Sequence, residues 1–527
     1  MRYILQLSFR ARPGQEAACA AWYRETHLQA VLGVPGVVSG RLSRQADEGA
    51  DAGDFNAAYR VEAGSLQGLM QALSGHIDSL QQCESVVPHS TRLELFEPDG
   101  SSMAVRSSAE APCLQEVIPD GASRRADVIE RAIRIAASPE VQRARQLAEM
   151  RFKWVLCDDP PAEAWPSFAT MMDEYVFNNA LKAANGDPGY PCVMLNYAMP
   201  HVWNGLNMPG SRVNGDNCDN TYRLIPMDGR GRFRVSGRRI GRGPSDVTFT
   251  LVGNWEMTKT LGGLEGRQLV YEPDGCFEIT IDPDPADGRP NHIQSRQGAV
   301  MLFVRDSMGD WDEHPNELTV LRLDPPEAPP LTDRQMAERA AELIVDSVPQ
   351  VYWYMKYVHA TPNKFPQLIK SDTAGGLSSQ MGNAGSAIIA DDEAMLLTIT
   401  PCGAEYFSII CQDYWWITMA YDRITSSRNT AQTHVDDDGT ATYVICASDP
   451  GVHNWIDTAG LHNVVLNVRL QGLAPKLERD PLVTSRIVKL SALAAALPAG
   501  TRMVTPIERA AEIADRTRQV AARYAGL

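Results

Sequence analysis

Along most of this chain apolar and polar positions alternate in short runs, and only a few stretches carry a helical period. Residues 232–236, 248–252, 276–281 and 299–305 read as strands. A second series follows at 395–400, 406–411, 442–446 and 464–469, with Gly and Asp-Gly turns between members. The two series match. Asp274-Gly275 aligns with Asp438-Gly439, Ile281 with Ile445, Leu302 with Leu466, Val304 with Val468 and Arg305 with Arg469, at constant spacing. A one-residue gap, closed before Leu302, pairs Asn291-His292-Ile293 with Asn454-Trp455-Ile456. Upstream, Phe233-Arg234-Val235 resembles Tyr406-Phe407-Ser408. A helical segment precedes each series, at 125–138 and 334–347. The pattern predicts two α+β units in tandem, each a β-sandwich or jelly-roll-like sheet with flanking helices. Duplicated units pack about a pseudo-twofold, and such interfaces are where small-molecule sites form.

The N-terminal part has its own pattern. Residues 3–9, 37–43, 56–61 and 91–96 read as strands, and 14–32 and 66–73 as helices. In the first helix Ala17, Ala20, Ala21, Trp22 and Leu28 are the expected apolar face. The order βαββαβ is a ferredoxin-like unit, so the fold class is α+β. In a single copy one face of its sheet has no partner, which predicts a homodimer. The expected division is 1–97 ferredoxin-like, 98–123 linker, 124–323 first repeat, 332–475 second repeat and 476–527 a C-terminal helical segment. Pro325-Pro326 and Pro329-Pro330 separate the repeats. Thr332…Gln335 and Thr505-Pro506…Glu508 have helix-start spacing.

Net charge changes the list of partners. At −16 over 527 residues the chain lacks the basic face that nucleic acid requires. The densest cationic stretch, 229–242, reads as a solvated hairpin or an anion-binding patch. No apolar run approaches the roughly 18 residues of a membrane helix. The start of the chain is too promptly polar for a signal peptide, and the ten cysteines are scattered without a CxxC pair. The cytoplasm is the expected location.

Two stretches concentrate chemistry. The run 197–222 gathers Tyr197, His201, Trp203, Asn204, Asn207, Asp216, Asn217, Asp219 and Tyr222, the mixture a polar site in an apolar pocket needs. It also reads as a long surface loop. The run Asp449-Pro450-Gly451-Val452-His453-Asn454-Trp455-Ile456-Asp457-Thr458-Ala459-Gly460, with Arg428 upstream, is the second. His453 or His201 could transfer a proton, because histidine titrates near neutrality, with Asp457 as orienting carboxylate. Tyr197, Trp203, Asn204, Tyr222, Arg428, Asn454 and Trp455 would hold the substrate. Against this, Asn454 has a counterpart in Asn291, which points to a role in the fold; His453 and Asp457 do not. The acidic loops 282–288 and 436–439 lack EF-hand spacing and read as turns, so no metal is expected. Neither a GxSxG elbow, HExxH, a P-loop nor a strand-framed GxGxxG is present.

Trp22-Tyr23-Arg24-Glu25-Thr26-His27 followed by Val34-Pro35-Gly36-Val37 resembles the EthD-like branch of the dimeric α/β-barrel superfamily, over residues 1–97. That resemblance implies barrel closure by homodimerisation, small apolar substrates, and a cavity-facing position for His27. Residues 120–475, with the Asp449–Gly460 signature, resemble an uncharacterised bacterial two-repeat family of unknown function. Its pattern has histidine directly after the glycine, where this chain has Leu461 and then His462. The resulting expectation is a cofactor-independent lyase, isomerase or hydrolase acting on a small, largely apolar metabolite. The rival is a non-catalytic small-molecule or carbohydrate-binding protein with a dimerisation module.

Overall fold

The computed structural model describes residues 2–12, 14–32, 37–44, 54–62, 92–96, 118–156, 159–370, 379–477 and 481–525. The helix expected at 66–73, and residues 98–117 of the expected linker, lie outside them. The chain divides into two compact units, Met1–Pro112 and Cys113–Leu527.

In the first unit β1 (Arg2–Arg10), β2 (Val37–Arg44), β3 (Asp54–Glu62) and β4 (Arg92–Phe96) form an antiparallel sheet in the order β2-β3-β1-β4. This is the ferredoxin-like order. Helix α1 (Glu16–Trp22) runs through a π-helical turn, Tyr23–His27, into α2 (Leu28–Leu32). The wider turn shifts the buried stripe. Cys19, Ala20, Tyr23 and Val31 are buried, whereas Ala17 and Ala21, expected in the apolar face, are exposed. The Tyr23 hydroxyl meets that of Tyr59 on β3 at 2.6 Å. The side chain of His27 lies outside the described residues.

The second unit contains the duplication. The first sandwich pairs a five-stranded sheet with a four-stranded one. Its strands are β5 (Met194–Asn196), then, after a small hairpin of β6 (His201–Trp203) and β7 (Leu206–Met208), β8 (Asn220–Pro226), β9 (Phe233–Arg238), β10 (Asp246–Val252) and β11 (Thr260–Glu265). β12 (Cys276–Asp282), β13 (His292–Gln294), β14 (Met301–Ser307) and β15 (Glu317–Arg322) complete it. The sheets run β11-β10-β14-β8-β5 and β13-β12-β9-β15.

The second sandwich comprises β16 (Ile369–Lys370), β17 (Met381–Ile388), β18 (Glu393–Ile399), β19 (Tyr406–Gln412) and β20 (Ser427–Asn429). It continues through β21 (Ala441–Cys446), β22 (Trp455–Asp457), β23 (Asn463–Gln471) and β24 (Val483–Lys489). Its sheets run β20-β19-β23-β17-β16 and β22-β21-β18-β24, the same order strand for strand. Even the short parallel pair recurs, as β12–β13 and β21–β22. Arg305 on β14 and Arg469 on β23 occupy equivalent registers. One expected pairing is corrected: β9, with Phe233, corresponds to β18, and the counterpart of β19 is β10. A second correction is β24, which lies in the stretch expected to be helical. It is an edge strand with little buried surface, so its alternation is weak.

Each sandwich is glued by the inward residues of both sheets, such as Phe249, Ile279 and Val304 in one and Leu397, Tyr443 and Val468 in the other. Helices α3 (Ile118–Ala136), α4 (Pro139–Leu156), α5 (Trp165–Ala184), α6 (Asp333–Asp346) and α7 (Val348–Val358) form one further core. Trp415 and Trp416 of the second sandwich enter it. The C-terminal helix α8 (Pro506–Ala525) buries Arg509, Arg516 and Arg523, one per two turns. No described helix is long and apolar enough to cross a membrane.

Candidate small-molecule site between the two sandwiches

The Asp449–Gly460 loop is built for structure. The Asn454 carboxamide accepts from the His434 backbone N–H (2.9 Å) and donates to the His434 carbonyl (2.7 Å) and that of Thr442 (3.2 Å). Asn291 clamps Val270 in the same way (2.8 and 2.7 Å). Trp455 donates its indole N–H to the Cys446 carbonyl at 3.0 Å. Arg428 is fully buried and spends its donors on the Trp455 and Gln432 carbonyls and on Glu512. Asn454, Trp455 and Arg428 therefore have no donors facing a substrate, contrary to expectation.

The expected His453–Asp457 pair is not formed. Asp457 turns to accept the Ala459 N–H at 2.8 Å, closing a turn in which Ala459 and Gly460 are left-handed. His453 instead faces the ring of His434 at 6.3 Å. Burial pushes its pKa down to about 4, helped by the cations of Arg428 and Arg502, so it is neutral at pH 7. Its loop packs on the C-terminal segment through Gly451–Val504 and His453–Arg502 backbone bonds and the Asp449–Arg509 ion pair. No hydrogen bond, ion pair or ring contact joins this loop to residues 197–222 among the described residues. A single cleft lined by both stretches, as expected, is therefore not what the fold builds.

His201 is held by its surroundings too. Its Nδ1 lies 2.8 Å from the Met199 carbonyl and its ring stacks on Tyr524 at 4.2 Å. Burial lowers its pKa. With Trp203, Met208 and Arg125 it lines a small cleft beside α3, and no carboxylate orients it among the described residues. Asn204 (φ 46°) and Gly205 (φ 81°) form the two-residue turn of the β6–β7 hairpin, which requires left-handed residues. The asparagine is exposed there as a turn residue, not a ligand.

Tyr197 and Tyr222 are different. Tyr197 follows β5 in a left-handed conformation, φ 58°, fixed by the Asn196 side chain accepting its N–H at 2.8 Å. Its ring packs on Tyr222 (5.3 Å) and Phe303 (5.8 Å), and Met257 Sδ lies 3.9 Å from its hydroxyl. Met257 (φ 57°) and Trp416 (φ 60°) share this unusual backbone. Strained bulky residues concentrate at binding sites, because the surroundings must hold them there. Trp416 sits on Gly215, where a Cβ would come within 2.6 Å of its ring, and its buried indole N–H has no hydrogen-bond partner among the described residues. Its ring meets Tyr354 at 5.4 Å.

Cations surround these aromatics. Arg305 lies 3.9 Å above the Phe303 ring and donates to Thr250 at 3.0 Å. Arg469 reaches from the other sandwich to the Tyr222 hydroxyl (3.2 Å) and the Gly215 carbonyl (2.8 Å). Lys182 of α5 lies 5.5 Å over the Tyr197 ring. None of the three has a carboxylate within ion-pair distance among the described residues. Burial lowers Arg305 to about 10, and Arg469 opposes its charge further. Some other buried cations are paired with carboxylates, as in Arg212–Glu174 and Arg223–Asp306, whereas Arg516 and Arg523 of α8 donate to backbone carbonyls. Sequence reasoning missed all three residues as site members. Its one usable signal was an arginine kept at equivalent mid-strand positions of both repeats.

No family model matches the chain, and no curated protein does. Among solved structures, an uncharacterized protein from Burkholderia cenocepacia is similar at 22% identity over 68% of this chain and 99% of that one, with a TM-score of 0.57. That shows a shared fold. The VPA0106 protein from Vibrio parahaemolyticus matches at 11% identity over 52% of this chain and 90% of that one (TM-score 0.34). An EthD family protein from Bacillus halodurans matches at 13% identity over 18% of this chain and 97% of that one (TM-score 0.16). At those scores the latter two carry no argument.

Proposed function

We propose that the larger unit binds a small organic anion with an apolar, ring-bearing body between its two sandwiches. The observation behind this reading is the trio of buried Lys182 and half-buried Arg305 and Arg469, gathered on an aromatic cluster and with no carboxylate within ion-pair distance among the described residues. A buried cation without an ion-pair partner is costly, as at Lys182, and a bound anion would offset that cost. Tyr197, Tyr222 and Phe303 would enclose the apolar part of the ligand. Arg305 and Arg469 would hold its carboxylate or an equivalent oxyanion. The cofactor-independent enzyme and the non-catalytic binder expected from the sequence both need such a pocket; turnover separates them.

Phenylacetate is a suitable probe. It should raise the thermal midpoint of the full chain, and Arg305→Gln and Arg469→Gln should each weaken its binding about 10–100-fold, the worth of a charge-assisted hydrogen bond. If both folded variants retain wild-type affinity, the site is not at the sandwich interface.

A further inference from the structure

We propose that Lys182 is a carbonyl-capturing amine, forming an imine with a ketone or aldehyde on the organic anion held between the sandwiches; this rests on the reading above. Lys182 is 7% exposed, near the end of a helix buried on nearly all sides. A lysine that far from water normally has a carboxylate beside it. Here its ammonium makes no hydrogen bond or ion pair among the described residues. It lies 5.5 Å over the Tyr197 ring, and the Glu256 carboxylate acts on it only through space. The same helix shows the alternative: Glu174, two turns earlier, is directly bonded to Arg212. A lysine kept for structure could have been neutralised likewise.

Burial lowers the Lys182 pKa to about 8, so about a tenth of the amine is neutral and nucleophilic at pH 7. The proposed step balances. The Nζ lone pair adds to the carbonyl carbon, one proton passes from nitrogen to oxygen, and the carbinolamine gives up its second N–H proton with its hydroxyl as water, leaving a neutral imine that takes a proton from solvent to become the iminium. No oxidant or reductant takes part. Tyr197 contacts Lys182 and also Tyr222 and Phe303, which in turn carry the contacts of Arg469 and Arg305. A ligand with its anion on the arginines and its carbonyl on the lysine must therefore carry the two groups at separate positions of a ring-bearing skeleton.

The test treats the full chain with phenylpyruvate and sodium cyanoborohydride, with phenylacetate as the carbonyl-free anion. The expected result is one adduct in the intact mass, mapped to Lys182, whose formation rises with pH to a midpoint near 8. Lys182→Arg and Lys182→Met should form no adduct at this position while keeping a cooperative thermal transition without ligand, and phenylacetate binding is read on the parent chain. Two lysine variants are used so that one can fail to fold without removing the comparison. Phenylacetate binding without an adduct at Lys182, or adducts on surface lysines alone, overturns the imine and leaves the anion site standing. If neither anion binds, the anion site fails and the imine with it.

Discussion

Replacing Asn454 by alanine separates a structural signature loop from a catalytic one. The side chain is 5% exposed and makes three hydrogen bonds, at 2.9, 2.7 and 3.2 Å, to backbone groups of His434 and Thr442. Truncation leaves the His434 N–H and carbonyl without their partner. At about 1 kcal/mol net for each bond, and more for a group left unpaired, Asn454→Ala should cost about 2–4 kcal/mol. Asn291, at 8% exposure with two such bonds to Val270, should lose about 2–3 kcal/mol on the same change. The assay is urea unfolding of the full chain and of both variants, followed by tryptophan fluorescence. Two-state behaviour must be checked, because a chain of two units can unfold in steps. Phenylacetate affinity, measured on the folded variants, should be unchanged. The reasoning is refuted if Asn454→Ala unfolds with the parent while losing the ligand, or if the Asn291 variant is undisturbed when its counterpart is not.

Asp413 offers a pH-dependent outcome. It accepts the N–H groups of Trp415 and Ile417 (3.0 and 3.2 Å) and is 7% exposed; burial raises its pKa to about 7. A raised carboxyl pKa means that the folded state keeps a proton the unfolded state has released. Its stabilisation is therefore full below about pH 4 and is lost as pH rises to about 7, by at most about 4 kcal/mol. Asp413→Asn, which keeps the acceptor, should flatten stability between pH 4 and 8 in chemical denaturation; a slope unchanged by the substitution would dismiss the carboxyl. Deleting residues 1–97 should lower the mass seen by light scattering if the first unit self-associates, and an unchanged mass would count against the expected dimer.

The duplication was readable because strand cores repeat apolar residues at fixed spacing, and because Asn291 and Asn454 do the same backbone work in each copy. Register was less readable. Phe233 and Tyr406 look alike, yet lie on non-equivalent strands, since an aromatic at a strand start fits several positions of a sandwich. β24 was missed because an edge strand buries too little to alternate. Tyr197 and Tyr222, singled out by the crowding of aromatic and polar residues in one stretch, pack against each other. His453, Asp457, His201, Asn204, Arg428, Asn454 and Trp455 were chosen for chemistry that the fold spends on turns, clamps and stacking. Local sequence does not say which way a side chain points, and Lys182 gave no signal at all. Its character comes from burial among residues far from it in the chain.

The proposed site lies where the two copies stop being alike. Arg305 and Arg469 are equivalent, but their strand neighbours are not. Arg305 stands beside Tyr222 and Thr248, whereas Arg469 stands beside Gly382 and Ser408. Phe303, two residues before Arg305, corresponds to Asn467, and Leu224 to Ala384. The first sheet therefore presents large aromatic and apolar groups where the second presents small ones. That difference lets Arg469 reach across to the Tyr222 hydroxyl, while Arg305 stays over its own Phe303 ring. A symmetric pair would have set two guanidiniums against each other with matching neighbours. The asymmetric pair gives each a separate place on one aromatic cluster, with Lys182 contributed by a helix. Exchanging small for large across this interface should close the site while leaving both sandwich cores intact, since Leu302, Val304, Leu466 and Val468 face the other way.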